Sequence, residues 1–111
     1  MRCPKCNVKM EEVTCEDVQI DRCAACKGIW FDSGEAETLS RKWIAEFIDI
    51  GDPEVGHRLN SLDTIACPRC DETMERFFDI EGRQVQYERC AKHGQFFDAG
   101  EFTLWAENQY L

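Results

Sequence analysis

CPKC at residues 3–6 and CAAC at residues 23–26 decide the fold of this chain, and CPRC at 67–70 with CAKH at 90–93 repeats the arrangement. Each set places two pairs of metal-binding side chains roughly twenty residues apart, which is the spacing of a tetrahedral zinc site. The imidazole in the second set suits Zn²⁺ but has no use in a disulfide framework. The sequence therefore predicts two Zn²⁺ per chain, one held by Cys3, Cys6, Cys23 and Cys26, the other by Cys67, Cys70, Cys90 and His93.

The length of the chain favours this interpretation. Its 111 residues are enough for one ordinary domain or two very small ones, and segments below about 40 residues rarely fold without a metal or disulfides. Disulfides need an oxidising compartment, whereas Met1 and Arg2 run directly into Cys3 and leave no room for a signal peptide. Since no apolar stretch is long enough to span a membrane, we expect a cytoplasmic protein with reduced thiols and no membrane contact.

The charge of the chain bears on its partners. The net charge is −9, and both halves of the sequence carry more acidic than basic side chains. Zn²⁺ bound through seven thiolates makes the charge more negative still. Proteins that bind nucleic acid normally carry a basic footprint that displaces the counterions of the phosphates. The composition therefore disfavours nucleic acid as the partner.

The two halves are an internal repeat once the predicted ligands are aligned. Each unit has a Met four residues after its second Cys, Met10 and Met74. The second unit is longer around residues 81–83, a predicted hairpin turn, and it lacks a counterpart of Lys27. The segments that match are 3–12 with 67–76, 18–23 with 85–90, and 28–35 with 94–101.

Each unit predicts knuckle, strand, turn, strand, knuckle, strand and helix. Alternating apolar residues near 18–20 and 85–87 indicate half-buried strands, and the aromatic pairs at 30–31 and 96–97 indicate a third. The Asp-x-Gly-Glu string predicts Asp32 and Asp98 as helix N-caps in a capping box with Glu35 and Glu101. The helices are expected at 34–50 and from 100 to the end, the first burying Leu39, Trp43, Phe47 and Ile50, flanked by Ile44 and Ile48, and the second burying Phe102 and Trp105.

These elements predict a small α+β fold of two tandem zinc ribbons, each an antiparallel hairpin or three-stranded sheet followed by a C-terminal helix. The expected divisions are 1–50 for the first ribbon and helix, 51–66 for a connecting segment, and 67–111 for the second. Asp52 followed by Pro53 looks like a new helix start, so the connection predicts a short helix over 53–62, although Gly56 weakens it. Because Leu59, Leu62 and Ile65 need burial, we expect the two ribbons to pack together.

The string C-P-x-C…C-x-x-C-x-G-x-W-x-D-x-G-E resembles the zinc-ribbon family named after transcription factor IIB. It is spelled by Cys3, Pro4, Cys6, Cys23, Cys26, Gly28, Trp30, Asp32, Gly34 and Glu35. The resemblance covers residues 1 to about 40, and residues 67 to about 105 look like a diverged second copy with His93 for Cys and Phe96 for Trp. The resemblance implies the ribbon fold and structural zinc. It implies little about activity, because the family name describes a structural likeness to a polymerase-binding ribbon.

The predicted sites argue against catalysis. Each offers four protein ligands, whereas catalytic zinc generally keeps a fourth position open for water, so we expect no enzyme and no catalytic residues. A rubredoxin-like iron centre is an alternative for the all-thiolate set, but rubredoxin knuckles usually carry Gly where Asn7 and Lys27 stand. Cys15 and His57 are left over and are interpreted as an ordinary thiol and a surface imidazole.

The expected function is a zinc-binding protein-interaction module with a link to transcription. The contact face for an unknown protein partner, or for a second copy in a homo-oligomer, is sought on the first helix (Trp43, Ile44, Phe47, Ile48); the alternative is that these residues pack onto the second ribbon. The rival is a nucleic-acid-binding ribbon that uses the basic residues near the first knuckle and the Trp side chains as stacking groups: Lys5, Lys9, Arg22 and Lys27, with Trp30, Trp43 and Trp105. A metal-dependent or redox enzyme is the remaining, disfavoured alternative.

Overall fold

Six strands of the chain form one antiparallel sheet. The computed structural model describes residues 1–59, 64–79 and 85–109. The first three strands are β1 (Met10–Cys15), β2 (Val18–Cys23) and β3 (Ile29–Asp32), and the last three are β4 (Glu75–Asp79), β5 (Val85–Cys90) and β6 (Gly94–Phe97). The helices of the described part are α1 (Glu35–Ser40), α2 (Ala45–Ile48), α3 (Pro53–Leu59) and α4 (Glu101–Asn108). The predicted hairpin turn at residues 81–83 lies outside the described residues.

The two ribbons are joined through their third strands. The strand order is β1-β2-β3-β6-β5-β4, so the halves are related by a pseudo-two-fold axis between β3 and β6. The paired residues there include Trp30 with Phe96 and Asp32 with Gly94. All four residues of β6 are buried, as are the first three of β3. A three-stranded ribbon alone would leave that apolar strand at an open edge, and the expectation that the ribbons pack together is confirmed.

The joint sheet separates two clusters of buried side chains. One lies under α1, α2 and α4 and is built around Phe31, Phe97 and Phe102, whose rings are packed against one another with centroids 4.5–5.7 Å apart. The other lies on the side of the predicted metal ligands and contains Trp30 and Phe96. Alternation along β3 and β6 therefore sends one aromatic ring of each pair to each face.

The predicted helix over 34–50 is wrong, because α1 ends at Ser40 and α2 begins only at Ala45. In the intervening turn Trp43 adopts a left-handed conformation with φ 58°. Leu39 and Ile48 are both fully buried in the same cluster. In a continuous helix, side chains separated by this many residues would point about 180° apart, so the break allows both to reach one core.

The break also overturns the predicted burial of three side chains. Trp43, Phe47 and Ile50 are exposed, at 69%, 72% and 54% of their surface. Ile48 is buried in their place and Ile44 is half-buried against the core. The second half of the prediction is confirmed, because Phe102 and Trp105 of α4 face the core, although the last two residues of the chain lie outside the described part.

The predicted N-caps are also wrong. Gly34 and Gly100 occupy the N-cap positions of α1 and α4, each with φ 87°, and neither has a side chain to offer. Half of the capping box survives in the first ribbon, where the Asp32 N–H donates to Glu35 Oε1 at 2.8 Å. The start of α4 is capped instead by Asp49, whose carboxylate accepts from the Gly100 and Thr103 N–H groups at 2.8 and 3.0 Å.

The connecting helix is α3, with Asp52 as predicted at its start, where Oδ1 accepts from the Glu54 N–H at 3.0 Å. Gly56 is buried, and a Cβ there would lie 2.3 Å from the Ala99 carbonyl oxygen. The residue that weakened the helix prediction therefore permits close packing on the second ribbon. The predicted helical residues 60–62, Leu62 included, lie outside the described part. Within the described residues, no helix has the length and apolarity needed to cross a membrane.

Candidate metal centres

The first cluster is formed by two knuckles of the first ribbon. The ligand atoms of Cys3, Cys6, Cys23 and Cys26 all lie within 4.8 Å of one another. The Sγ atoms of Cys3 and Cys26 are 3.8 Å apart, and those of Cys6 and Cys23 are 3.1 Å apart. Two sulfurs bound to one tetrahedral Zn²⁺ at 2.3 Å would be separated by about 3.8 Å. The spacing of the thiols thus fits such an ion, and Cys6 is the least buried of the four.

The second cluster holds three thiols and one imidazole. The ligand atoms of Cys67, Cys70, Cys90 and His93 also lie within 4.8 Å of one another. Cys70 Sγ is 3.8 Å from Cys90 Sγ, and His93 presents Nδ1 at 3.5 Å from Cys90 Sγ. The structure therefore brings together, in two sets of four, all eight residues predicted as ligands. Every cysteine is free, and these separations are far from the roughly 2.05 Å of a disulfide.

Three of the four knuckles share one backbone geometry. In each, the residue after the second Cys is left-handed: Asn7 has φ 59°, and Lys27 and Asp71 have φ 64°. Its N–H donates back to the carbonyl of the first Cys, as from Asn7 to Cys3 at 3.0 Å. Three N–H groups of the second knuckle, among them those of Ala25 and Gly28, point at Cys sulfurs at 3.4 Å. Such N–H contacts stabilise thiolates in the metal-bound state.

The fourth knuckle, formed by residues 90–93, also brings its two ligands into a cluster, although it has one residue fewer before the next strand. The residue after His93 is Gly94, whose φ of 152° differs from the 59–64° of the corresponding residues in the other three knuckles. A Cβ on Gly94 would lie 2.0 Å from the Phe31 carbonyl oxygen. Only glycine fits here, because Gly94 already pairs with Asp32 across the join of the ribbons. The fourth knuckle therefore manages without a residue equivalent to Lys27 by passing directly from His93 into β6 at Gly94.

The thiols of each cluster differ in pKa. The hydrogen bond between the two thiols lowers the pKa of Cys26 to about 5 and raises that of Cys3. In the second cluster, burial works to raise the pKa of Cys90, yet hydrogen bonding to His93 brings it down to about 7. Burial raises the pKa of Cys67 to about 11. Cys26 and Cys90 therefore ionise most readily within their clusters, and a bound cation would favour ionisation of the other thiols.

The donor sets decide what the clusters can do chemically. Four protein donors complete a tetrahedral zinc site, whereas a catalytic zinc keeps an open position. The Cys₄ and Cys₃His sets have the donor composition of structural zinc sites. In each ribbon the first knuckle precedes the first strand and the second knuckle lies between the second and third strands, so a metal would tie the two knuckles together.

A cation from each first knuckle crosses to the other ribbon, a feature that sequence reasoning missed. Lys5, between Cys3 and Cys6, contacts a carboxylate oxygen of both Asp98 and Glu88, and its side chain is fully buried. Its Nζ also donates to the Leu59 carbonyl at 3.4 Å. Burial raises the pKa of Asp98 to about 7, against the lowering effect of Lys5. This group joins the first knuckle to β5 and to the residue after β6.

The equivalent cation of the second ribbon points back to the first. Arg69 forms a two-pronged ion pair with Asp32, with Nη2 2.8 Å from Oδ2, and lies 4.0 Å from Asp21. Its side chain is 39% exposed. Burial acts to raise the pKa of Asp32, but Arg69 and the Trp30 indole keep it below its ordinary value. The signal in the sequence was the repeat itself, because each unit has a cation between its first two ligands and carboxylates at matching positions.

The remaining predicted residues lie away from both clusters. Cys15 is half-buried at the end of β1 and packs against the helix-covered core, outside either group of four. His57 is exposed on α3. Of the cations considered for nucleic acid, Lys5 is buried and Arg22 donates to the Ile48 carbonyl at 3.1 Å. Trp30 and Trp105 are buried, so of the three indoles only that of Trp43 lies on the surface.

Comparison with known proteins gives one finding. Residues 2–42 match the family described as the transcription factor zinc-finger, the zinc ribbon of the transcription factor IIB type. This confirms the resemblance carried by the first ribbon, and the second Cys cluster follows it later in the chain. Neither the curated proteins nor the solved structures give a match.

Proposed function

We propose that the protein binds two structural Zn²⁺ ions, one in a Cys₄ and one in a Cys₃His environment, and acts by binding another protein. The observation that carries the zinc assignment is the pair of four-donor clusters, whose ligand atoms lie within 4.8 Å of one another in each case. The family match supports zinc for the first cluster. A closed coordination shell supports a structural and not a catalytic role. Thiol ligands of this kind suit a reducing compartment such as the cytoplasm.

The interaction role is supported by the surface around α2. Most large apolar side chains of the described residues are buried, but Trp43, Phe47 and Ile50 fall within eight residues of each other and are largely exposed. We call these three residues the exposed apolar surface. Exposed apolar groups that are clustered mark protein contact sites more often than scattered ones do, and Trp is enriched among residues that dominate binding energy. The family description supports a partner in transcription.

Nucleic acid is the weaker candidate on the same evidence. A phosphate-binding strip needs accessible cations, yet Lys5 is enclosed by carboxylates and Arg22 bonds the backbone of residue 48. Stacking on bases needs exposed rings, and Trp30 is fully buried. With a net charge of −9, any binding to nucleic acid is expected to be weak and to fall steeply with salt.

Two measurements test the proposal. Native mass spectrometry of the purified chain is expected to show two zinc ions, and X-ray absorption at the zinc edge an average of S₄ and S₃N environments; one metal, none, or disulfides among these cysteines would defeat the zinc assignment. Affinity capture from the native host should then compare wild type with Trp43→Ser/Phe47→Ser. A protein held by wild type and lost from that zinc-replete variant supports the function. Sequence-selective, sub-micromolar binding of DNA or RNA at about 150 mM salt would replace it with the rival.

A further inference from the structure

The connecting helix α3 covers the ligand side of the second ribbon. Gly56 of this helix lies on Ala99, where a Cβ would come within 2.3 Å of the Ala99 carbonyl oxygen. On the same helix, Val55 and Leu59 pack against the buried cluster that contains Ile65. Beneath this cover, Ile65 and Ala99 are only 4% and 3% exposed.

The same side of the first ribbon has no equivalent cover among the described residues. Met1 occupies the position that Ile65 has in the second ribbon, since each carbonyl accepts from the Met N–H that begins the next segment, yet Met1 is 38% exposed. Ser33, the equivalent of Ala99, is exposed as well. A Cβ on Gly34 would meet no described atom within 4 Å. One half of the pseudo-two-fold fold is therefore closed on its ligand side, and the other half is open.

The open side forms a cleft of about 1110 Å³. Sites for drug-sized ligands run from about 300 to 1,000 Å³, so this cleft has room for a segment of polypeptide. Its lining residues come from the N-terminal segment, from β1 and β2, and from the two ends of the turn that joins β3 to α1, Asp32 and Glu35. It therefore occupies, on the first ribbon, the side that α3 covers on the second.

The two ribbons differ in charge at matching positions of this side. In the first ribbon, Glu12 of β1 lies directly opposite Asp21 of β2. Like charges placed opposite each other destabilise a sheet. In the second ribbon the corresponding residues are Arg76 and Glu88, which are opposite in sign. The first ribbon thus has a carboxylate where the second has a cation.

The charges that line the cleft indicate what it can bind. Five carboxylates and two basic side chains are among its lining residues: Glu11, Glu12, Asp21, Asp32, Glu35, Lys9 and Arg69. The amino group of Met1 adds a third positive charge, and Arg69 is already paired with Asp32. A second copy of this chain, with its net charge of −9, an anionic membrane or a nucleic acid would each bring more negative charge. A basic segment of a partner protein is complementary.

We propose that the cleft binds a helical segment of a partner protein, which lies over the first ribbon as α3 lies over the second. A small residue of that helix packs on Ser33, an aliphatic residue covers Met1, and a Lys or Arg side chain faces Glu12 and Asp21. Contacts of a helix in a groove take their affinity from apolar side chains on one face and their partner choice from charge. The cleft is on the other side of the sheet from the exposed apolar surface, so the inference goes beyond the proposed function.

The test is a selection of helical peptides on the zinc-loaded full chain. Displayed peptides of about 14 residues, or four helical turns, are panned on wild type and counter-selected on Ser33→Tyr, whose ring would lie where the helix packs. Enriched peptides are expected to carry a small residue within an apolar face and Lys or Arg beside it. Once synthesised, they should bind Ser33→Tyr about tenfold or more weakly. They should bind Ser33→Ala, which copies Ala99 of the second ribbon, as well as wild type.

Matched charge variants separate the cleft from general electrostatics. Glu12→Lys should weaken the basic peptides about tenfold. Glu75→Lys makes the same change of net charge at an exposed residue of β4, on the opposite edge of the sheet, and should leave binding within about threefold. Enrichment of acidic or uncharged peptides, equal losses in the two charge variants, no enrichment at all, or a dimer of the chain that Ser33→Tyr abolishes would each overturn the inference. Capture of a host protein through Trp43 and Phe47 is measured separately, so the proposed function survives any of these results.

Discussion

The two cross-ribbon ion pairs stand at equivalent positions of the pseudo-two-fold fold but lie in different surroundings. The Lys5 side chain is fully buried between Asp98 and Glu88. Arg69, its counterpart, remains 39% exposed beside Asp32 and reaches Asp21 only at 4.0 Å. A buried charge left without its partner is strongly destabilising, whereas an exposed pair contributes little. The comparison indicates that removing the Lys5 cation would destabilise the paired ribbons much more than removing the Arg69 cation.

The aromatic residues beside the two ion pairs also differ, because only one of them can donate a hydrogen bond to the neighbouring carboxylate. Trp30 Nε1 donates to Asp32 Oδ1 at 3.0 Å, so that carboxylate is satisfied within its own ribbon. Phe96 stands at the matching place and has no donor, and Asp98 Oδ1 finds no hydrogen-bond partner in the described part of the chain. Lys5 lies 5.8 Å from the centre of the Phe96 ring. Both carboxylates thus pair with a cation of the other ribbon, but only Asp32 also accepts a side-chain hydrogen bond from its own ribbon.

Metal removal should have the largest effect and should tell the ribbons apart. The binding free energy of structural zinc is largely folding free energy, on the order of 10 kcal/mol per site, so complete chelation is expected to unfold the chain. Cys23→Ser should disturb the amide NMR signals of the first ribbon more than those of the second, and Cys90→Ser the reverse. Native circular dichroism retained after complete zinc loss would contradict this coupling. Cys15→Ser is the control and should keep both metals.

Cutting each ion pair tests the comparison directly. Lys5→Ala leaves two buried carboxylates uncompensated and is expected to lower the free energy of unfolding by about 3–5 kcal/mol. Arg69→Ala removes the equivalent charge from a partly exposed site and should lower it by no more than about 1 kcal/mol. Denaturant unfolding in the presence of zinc measures both. Equal losses of stability for the two variants would show that the difference in burial does not determine how much each ion pair contributes to stability.

Local patterns in the sequence were sufficient for the parts of the fold that depend on residue type and spacing. The Cys spacing predicted which side chains meet, because two knuckles with fixed turns can place four donors together. The repeat and the alternation near Ile20 and Tyr87 predicted the strands, and apolar spacing predicted the burial of Phe102 and Trp105. The family match over residues 2–42 agrees with the resemblance that the Cys-containing string of the first ribbon suggested.

The parts that failed depend on tertiary contacts. Apolar residues across 39–50 were compatible with one amphipathic helix, and nothing local indicates that Leu39 and Ile48 must reach the same core from two short helices. The Asp-x-Gly-Glu string resembles a capping box, but Asp32 and Asp98 are drawn to cations of the opposite ribbon. Asp49 caps a helix more than fifty positions further along the chain. Each of these choices requires the β3–β6 pairing to be known first.

The short fourth knuckle gives a further comparison between glycines. Gly94→Ala would force a Cβ to 2.0 Å from the Phe31 carbonyl oxygen at φ 152°, and it should destabilise the fold by about 3 kcal/mol, with loss of zinc from the second site. Gly34→Ala meets nothing within 4 Å at φ 87° and should be penalised only by its left-handed backbone, about 1–2 kcal/mol. Thermal unfolding with zinc quantification checks the pair. Equal effects would mean that the close approach at Gly94 relaxes freely.

A smaller effect than at Gly94 is expected at the caps of α1 and α4, which are also built differently. Glu35 binds the N–H of Asp32 within its own ribbon, whereas α4 depends on Asp49, a buried residue after α2. Asp49→Ala removes three hydrogen bonds that the carboxylate accepts from Gly100 and Thr103, and should lower the free energy of unfolding by about 0.5–2 kcal/mol. Glu35→Ala, at the first helix, should lower it by less, since one hydrogen bond is lost.

The ionisation of Asp49 should also make the free energy of unfolding depend on pH in a predictable direction. Burial raises its pKa above the ordinary 3.8, in spite of the three hydrogen bonds. The folded chain therefore holds this proton more tightly than the unfolded chain, and Asp49 alone makes the free energy of unfolding fall as pH rises from 3.8 through the raised value. Asp49→Asn cannot ionise, so the stability of wild type minus that of the variant should decrease with pH across that window and level off above it. Denaturant unfolding of both proteins in zinc-containing buffers cancels the acid loss of metal common to them. A difference that stays constant would show that the hydrogen bonds of Asp49 offset the effect of burial, and one that grows with pH would show that they outweigh it.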